Sequence, residues 1–430
     1  MSTAVRELVE AARDDRPFSG AAWAAGDQSG LIEQGVIGTR AWPELAGDGV
    51  DSGPVTDRDL FDLASVTKPL VGLVIMALVE RGDLSLDDQV EQFLPGLVDA
   101  KDPVLLLRDL LLHTSGLPGQ VRLYRDSATP AELYAAIGRL PRESAPGTRV
   151  TYSSQGFILL GRIAEIATGT GLSSLVTELV AKPAGAATLC YRPSDTHPEM
   201  PCVATELCGW RGRLIQGEVH DENAVVLGGV AGHAGLFGRL DDLAAVGHAL
   251  VTNLTDRVLL SPTTLQTMIT TRTAPLGVAR SYAWQTAELP GTPAGDLLGP
   301  RSFGHTGFTG TSLFVDPDTS RWYVLLTNGY TPPAAPTGSP VSAAASTTSP
   351  PPSPDPRSRP GWFRPGIEYA VRASERTRPA IETQCPEQKV STAAGLTARW
   401  PDQRAAPRHH SGTAGRPCPD VDLGPDASHP

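Results

Sequence analysis

Apolar residues crowd most densely in stretch 61–81, FDLASVTKPLVGLVIMALVER, where Leu70, Val71, Leu73, Val74, Ile75, Met76, Leu78 and Val79 leave almost no polar face. Such a run predicts a helix enclosed by other elements. Only about sixteen of its residues are apolar-dominated, and Gly72 interrupts them, so it predicts a core helix and not a membrane span, which needs about 20. Pro69 suits a first helical turn, and Gly82-Asp83 supplies the stop. Upstream, 3–14 has helical spacing through Val5, Leu8, Val9 and Ala12. Stretches 21–25 and 31–38 are strand-like around a 26–30 turn, predicting a β-hairpin.

Downstream, 84–273 reads as mostly helical, with helices over 84–94, 103–112, 129–140, a segment through Phe157, Leu160, Ile163 and Ile166 ended by Gly169, and then 241–250 and 261–268. Strand patterns return at 282–288, 302–307, 311–316 and 322–327, separated by Gly-, Pro- and Asp-rich turns. A chain that opens and closes with strands predicts an α+β fold: one antiparallel sheet built from both ends of the chain, flanked by helices, with an inserted all-helical lobe. The predicted sheet lobe covers about 1–83 and 274–330, the helical lobe about 84–273, and the cleft between them is the natural place for a site.

From 331 onward the pattern lapses. This tail holds 19 of the 39 prolines and 11 basic against 9 acidic residues, so it is about +2 and the acidic body, at −13, carries more than the whole net charge of −11. The tail predicts disorder, apart from a hint of helix at 366–373. Either 361–376 supplies a helix that closes the sheet, or the native reading frame ends near Asn328. The acidic body has no basic stripe, which argues against nucleic acid as a partner. The N-terminus is acidic where a secretion signal is basic, predicting a cytoplasmic protein with no transmembrane segment. Five cysteines fit reduced thiols, and the cluster Cys190, His197, Cys202, Cys208 matches no standard zinc spacing, so neither a metal nor a cofactor is predicted.

Chemistry enters at the mouth of the apolar run. Ser65 and Lys68 stand three apart and would share one helix face. Lysine is scarce, at only four positions. Burial can suit a lysine to take a serine's proton, and a helix N-terminus favours an oxyanion. The same pair also fits a serine N-cap followed by a lysine whose stem lies along apolar surface.

Two further stretches bear on that choice: Tyr152-Ser153-Ser154 at a turn before a helix, and His305-Thr306-Gly307 on a predicted strand. In order and context the three resemble the S-x-x-K, Y-x-N and K-T-G motifs of the serine β-lactamase and penicillin-binding-protein superfamily. The flanking phrases LLLHTSGLPG, GEVHDENAVVLGGVAGHAGLFG and FGHTGFTGTSLFVDP are similar to the class C β-lactamase-related hydrolases. The resemblance spans roughly 5–328. It implies Ser65 as acylated nucleophile, Lys68 as proton acceptor or source of positive field, Tyr152 as a second proton shuttle, and the N–H groups of Ser65 and Phe308 as oxyanion hole.

Two departures shape the expected substrate, a small-molecule or peptide-like ester or amide. Ser154 stands where the family has Asn or Asp, with shorter reach. His305 replaces a permanent cation with a group that titrates near neutrality, weakening recognition of a substrate carboxylate. Both push from strong β-lactamase activity toward ester or small-amide hydrolysis, with a weak β-lactamase, a D-amino-acid peptidase and a non-hydrolysing penicillin sensor as alternatives. Among other candidates, His113 reads as a turn residue capping local backbone, His220 and Asp221 as either cleft or loop-holding residues, and His233, set among glycines, as structural.

Overall fold

The computed structural model describes residues 3–14, 18–97, 103–293, 295 and 297–329. The predicted disordered tail, with its helix near 366–373, lies outside the described residues.

Helix α1 (Thr3–Asp14) precedes the hairpin of β1 (Gly20–Asp27) and β2 (Gly30–Gly38). The sheet is completed by β3 (Gln285–Thr286), β4 (Phe303–Thr306), β5 (Ser312–Asp316) and β6 (Arg321–Thr327). Its order is β2-β1-β6-β5-β4-β3, antiparallel throughout, and β1 pairs with β6 from Ala21 opposite Thr327 to Asp27 opposite Arg321. Strands from the two ends of the 20–327 segment therefore pair within one sheet. Side chains alternate across β1 as strand geometry requires. Ala22 and Ala24 enter the main core, while Ala21 and Trp23 face Val5 and Val9 of α1.

The main core is filled by α2 (Thr67–Arg81), in which every residue from Thr67 to Leu78 is buried, α3 (Ser154–Thr168), α5 (Leu240–Thr252) and α6 (Pro262–Ile269), while α4 (Glu222–Val226) buries Ala224 in a separate cluster with Leu60, Val219 and Phe237. Gly82, at φ 82°, caps α2, and the Asp83 N–H donates to Leu78 O at 2.9 Å.

Three predicted elements are shorter than expected. Helix 84–94 shrinks to Val90–Phe93, because the Ser85 N–H donates to Asp88 Oδ2 at 2.7 Å in a turn that competes with helix. Helix 103–112 shrinks to Leu107–Leu111, since Leu106 is held extended by a bridge to Gln89. Strand 282–288 is only Gln285–Thr286, because Ala283 at φ 69° turns the chain. The insert, predicted all-helical, also carries strands. Cys190–Tyr191 and Phe61–Asp62 flank Leu236–Gly238, and Leu207–Cys208 pairs with Arg213–Leu214. Strands of two or three residues are too short to show a period.

Asn328 closes the sheet. Its Oδ1 accepts from the N–H groups of Ser19 (3.0 Å) and Gly20 (3.1 Å), and its Nδ2 donates to Ser19 Oγ and Ala204 O, both at 2.7 Å. Asn328→Ala strands two buried N–H donors, so we expect a loss of about 2 to 4 kcal/mol. Thermal unfolding checks this; an unchanged Tm would show that water satisfies these groups equally well.

Candidate active site

Ser65 lies in a single 3-10 turn, Ala64–Val66, directly ahead of α2. Ala64 adopts φ 46°, a conformation an alanine holds only when its surroundings enforce it. They do so from three sides. The Ala64 N–H donates to Asp62 Oδ1 at 2.8 Å, Thr309 Oγ1 donates to Asp62 O at 2.7 Å, and Thr311 Oγ1 donates to Leu63 O at 2.8 Å. Gly307 is what lets β4 come this close, since a Cβ there would meet Thr311 Oγ1 at 2.1 Å and Leu63 O at 2.6 Å.

Ser65 does not cap the helix. No side-chain cap is made at the start of α2, and Ser65 Oγ instead accepts from Lys68 Nζ at 3.0 Å. Lys68 is fully buried and also donates to His233 O at 3.0 Å. Its ammonium sits 5.0 Å from the centre of the Tyr152 ring. The Tyr152 phenol lies close enough to Ser65 and Lys68 for both to act on its acidity. Burial pushes its pKa up, but the Lys68 charge, the neighbouring Lys68 and Ser65 polar groups and the Arg280 charge outweigh it, leaving Tyr152 more acidic than a free tyrosine. A hydroxyl held between an amine and an acidic phenol is suited to nucleophilic attack with a short proton relay.

The remaining predicted residues divide. His305 is buried on β4, its ring 5.9 Å from that of Tyr152 and its Nδ1 2.8 Å from Thr306 O. Thr306 and Gly307 follow, and the Gly307 N–H donates to Thr311 O at 2.7 Å. Phe308, 48% exposed, stacks on His220 at 5.0 Å and 15°. Ser154 is buried at the first position of α3.

His220 and Asp221, adjacent in sequence, do different things. The His220 N–H donates to Asp62 Oδ2 at 2.7 Å, and its Nε2 lies 2.7 Å from Glu206 Oε1. Burial disfavours a charged His220, yet Glu206, Asp62 and Asp221 together hold its pKa above the ordinary value. Asp221 turns into the fold. Its Oδ1 accepts from the Ala224 N–H, capping α4, and lies 2.9 Å from His233 Nε2. Burial alone would raise its pKa, but the His233 charge and hydrogen bond reverse this and lower it strongly.

His113, at φ 60°, sits in a turn as read from the sequence, but the backbone its ring caps is not local: its Nδ1 accepts from the Ser153 N–H, 40 residues on, at 3.0 Å, holding the Tyr152–Ser154 turn. Burial, then the charges of Arg280, Lys68 and His305, depress its pKa and keep the ring neutral.

Three contributors escaped the sequence reading. Asp62, whose pKa is raised by burial, joins the Ser65 turn to His220, and nothing separates it in sequence from an ordinary loop acid. The carbonyl of His233 is a backbone atom, invisible to residue-type reasoning. Arg280, 6% exposed, places its guanidinium 5.1 Å from the Tyr152 ring centre, and no motif surrounds it.

Among the described residues no helix is long and apolar enough to cross a membrane, and no group of three His, Cys, Asp or Glu side chains could hold a metal ion. Cys190, Cys202 and Cys208 are free thiols, and burial raises the pKa of the first to about 11 and of the second to about 12.

With this geometry in place, comparison with known proteins is informative. A family model described as Beta-lactamase matches residues 5–347. A protein of Escherichia coli (strain K12) named "Putative D-alanyl-D-alanine carboxypeptidase" is 31% identical over 319 residues, covering 66% of this chain and 73% of its own. An N-acetylmuramyl-L-alanine amidase of Bacillus subtilis (strain 168) is 30% identical over 321 residues, covering 66% and 71%. Among solved structures, the octameric penicillin-binding protein homologue from Pyrococcus abyssi has a TM-score of 0.61 at 20% identity, over 76% of this chain and 73% of that one. EstCE1, a hydrolase with promiscuous acyltransferase activity, has a TM-score of 0.62 at 22% identity, over 76% and 93%. The two structures share the fold.

Proposed function

Because this chain belongs to the Beta-lactamase family and is a serine hydrolase, we propose that it cleaves an ester or amide through a covalent acyl-enzyme on Ser65. The observation that carries the reading is the Ser65 Oγ held by Lys68 Nζ at 3.0 Å, with that Nζ 5.0 Å from the Tyr152 ring centre. Lys68 gives one N–H to Ser65 Oγ and one to His233 O. Its charge favours the Tyr152 phenolate, which takes the Ser65 proton as Oγ bonds to the substrate carbonyl. The carbonyl oxygen becomes an oxyanion held by the N–H groups of Ser65 and Phe308. Tyr152 then protonates the leaving group as its bond to the acyl carbon breaks. Water, deprotonated by the same route, releases the acid and restores Ser65. His305, Thr306 and Ser154 line the substrate's path, the first two from β4 and the last from α3.

A second observation favours amides whose leaving group ends in a carboxylate, the class to which the D-alanyl-D-alanine carboxypeptidase named among the relatives points. His305 is a weaker cation than the family's lysine, but Arg280 beside Tyr152 supplies a permanent one where the leaving group departs. We expect Arg280→Gln to raise KM for D-alanyl-D-alanine peptides by about 10- to 100-fold more than for uncharged esters, the range for a lost charge-assisted hydrogen bond. Steady-state kinetics on both substrates check it, and an equal effect on the two would remove the carboxylate from the reading while leaving the acyl-enzyme intact.

A further inference from the structure

Apolar side chains that large and that open to solvent are seldom placed beside a reactive centre without a ligand to meet them. Phe308 and Trp210 are each 48% exposed. Trp210 stands at the tip of the hairpin formed by Leu207–Cys208 and Arg213–Leu214. Its ring lies 5.1 Å from that of Tyr124 at an interplanar angle of 60°, so the two rings form an open corner.

The corner is fixed to the catalytic turn by a short chain of contacts. Arg211, next to Trp210, donates from Nη1 to Val219 O at 2.9 Å and from Nη2 to His220 O at 2.6 Å. His220 stacks on Phe308 and, through its own N–H, is bonded to Asp62, whose other oxygen holds the Ala64 N–H before Ser65. On the opposite side the Tyr124 N–H donates to Asn223 Oδ1 at 2.9 Å, at the second position of the helix that follows His220-Asp221. The hairpin tip is thus positioned by the same backbone that positions Phe308.

We propose that Trp210 and Tyr124, continued by the His220–Phe308 stack, form an acyl-side subsite that receives a ring with a flat, C–H-rich face. An aryl ring and the face of a pyranose share this chemistry. Offset or tilted stacking on Trp and Tyr suits such a face, and the polar ends of both rings stay wet. This deepens the reading of Ser65 as an acyl-accepting serine and rests on it: Arg280 and Tyr152 take the leaving side, and the aromatic corner tied to Phe308 through His220 takes the acyl group.

Binding tests this without turnover. In full-length Ser65→Ala protein, isothermal titration compares three amides with one leaving group: acetyl, phenylacetyl and an N-acetylhexosamine linked through a lactyl acyl group. We expect at least one ring-bearing amide to bind about 10-fold more tightly than the acetyl amide, and Trp210→Ala to abolish that advantage while Trp210→Phe retains most of it. The ring class with the larger advantage identifies the source. Equal binding of all three amides, or an advantage untouched by Trp210→Ala, overturns the subsite. The acyl-enzyme reading fails by a different result, the absence of Ser65-dependent hydrolysis of the corresponding esters by the unaltered chain.

Discussion

Ser65→Ala lowers kcat on any ester or amide substrate by about 10^4- to 10^6-fold, the scale on which loss of a nucleophile falls in acyl-transfer enzymes. KM changes little by comparison. The separation follows from the structure: Oγ is the only atom removed, while the clamps on its turn, from Asp62 Oδ1, Thr309 and Thr311, are made to Ala64, Asp62 and Leu63. The proposed oxyanion donors are backbone N–H groups that alanine keeps. Binding of uncleaved substrate therefore survives, and steady-state kinetics with circular dichroism as a folding control will distinguish lost chemistry from lost structure.

Lys68→Met has the second largest effect and a distinct signature. Methionine matches the length and fills the buried site without a charge, so packing around α2 is retained. Three consequences follow. Ser65 Oγ loses its 3.0 Å donor and His233 O loses the other. Tyr152 loses the largest influence that lowers its pKa, leaving burial, which raises it, less opposed. We expect kcat to fall by about 10^2- to 10^4-fold, the range for a positioned proton-transfer group. Because the phenolate then forms only at higher pH, what activity remains should rise toward alkaline pH, with its limb shifted upward from that of the unaltered enzyme. A fall in kcat with an unmoved pH profile would mean that Lys68 does not set the acidity of Tyr152.

The sheet was legible because the strand-like stretches in 20–38 and 303–327 are set off by Gly-, Pro- and Asp-rich turns, and the small residues of β1 sit opposite Leu326, Val324, Tyr323 and Trp322 of β6. The sequence made α2 legible through an apolar run interrupted by Gly72 and ended at Gly82. Short strands such as Phe61–Asp62 and Leu236–Gly238 were not, since two or three residues carry no period, yet they join the Ser65 turn to the insert. Within the site, Ser65, Lys68 and Tyr152 could be read from motif order. His233 could not, because what it offers Lys68 is a main-chain carbonyl that any residue possesses. Arg280 was hidden for another reason: it reaches Tyr152 across the fold from a bend near Ala283, a position set by tertiary packing. His220 and Asp221 show the limit of reading a pair by adjacency, for one side chain reaches Phe308 and Glu206 while the other turns inward to His233.

The central claim is that Ser65 becomes covalently acylated. Intact-mass measurement of the full chain after brief exposure to a fluorophosphonate, and separately to an activated ester or a β-lactam, followed by peptide mapping, reads this directly. The account predicts a single adduct of the reagent's mass on the peptide carrying Ser65, absent from Ser65→Ala, and turning over with the ester but not with the phosphonate. An adduct on another residue, or hydrolysis that proceeds undiminished in Ser65→Ala, would contradict it.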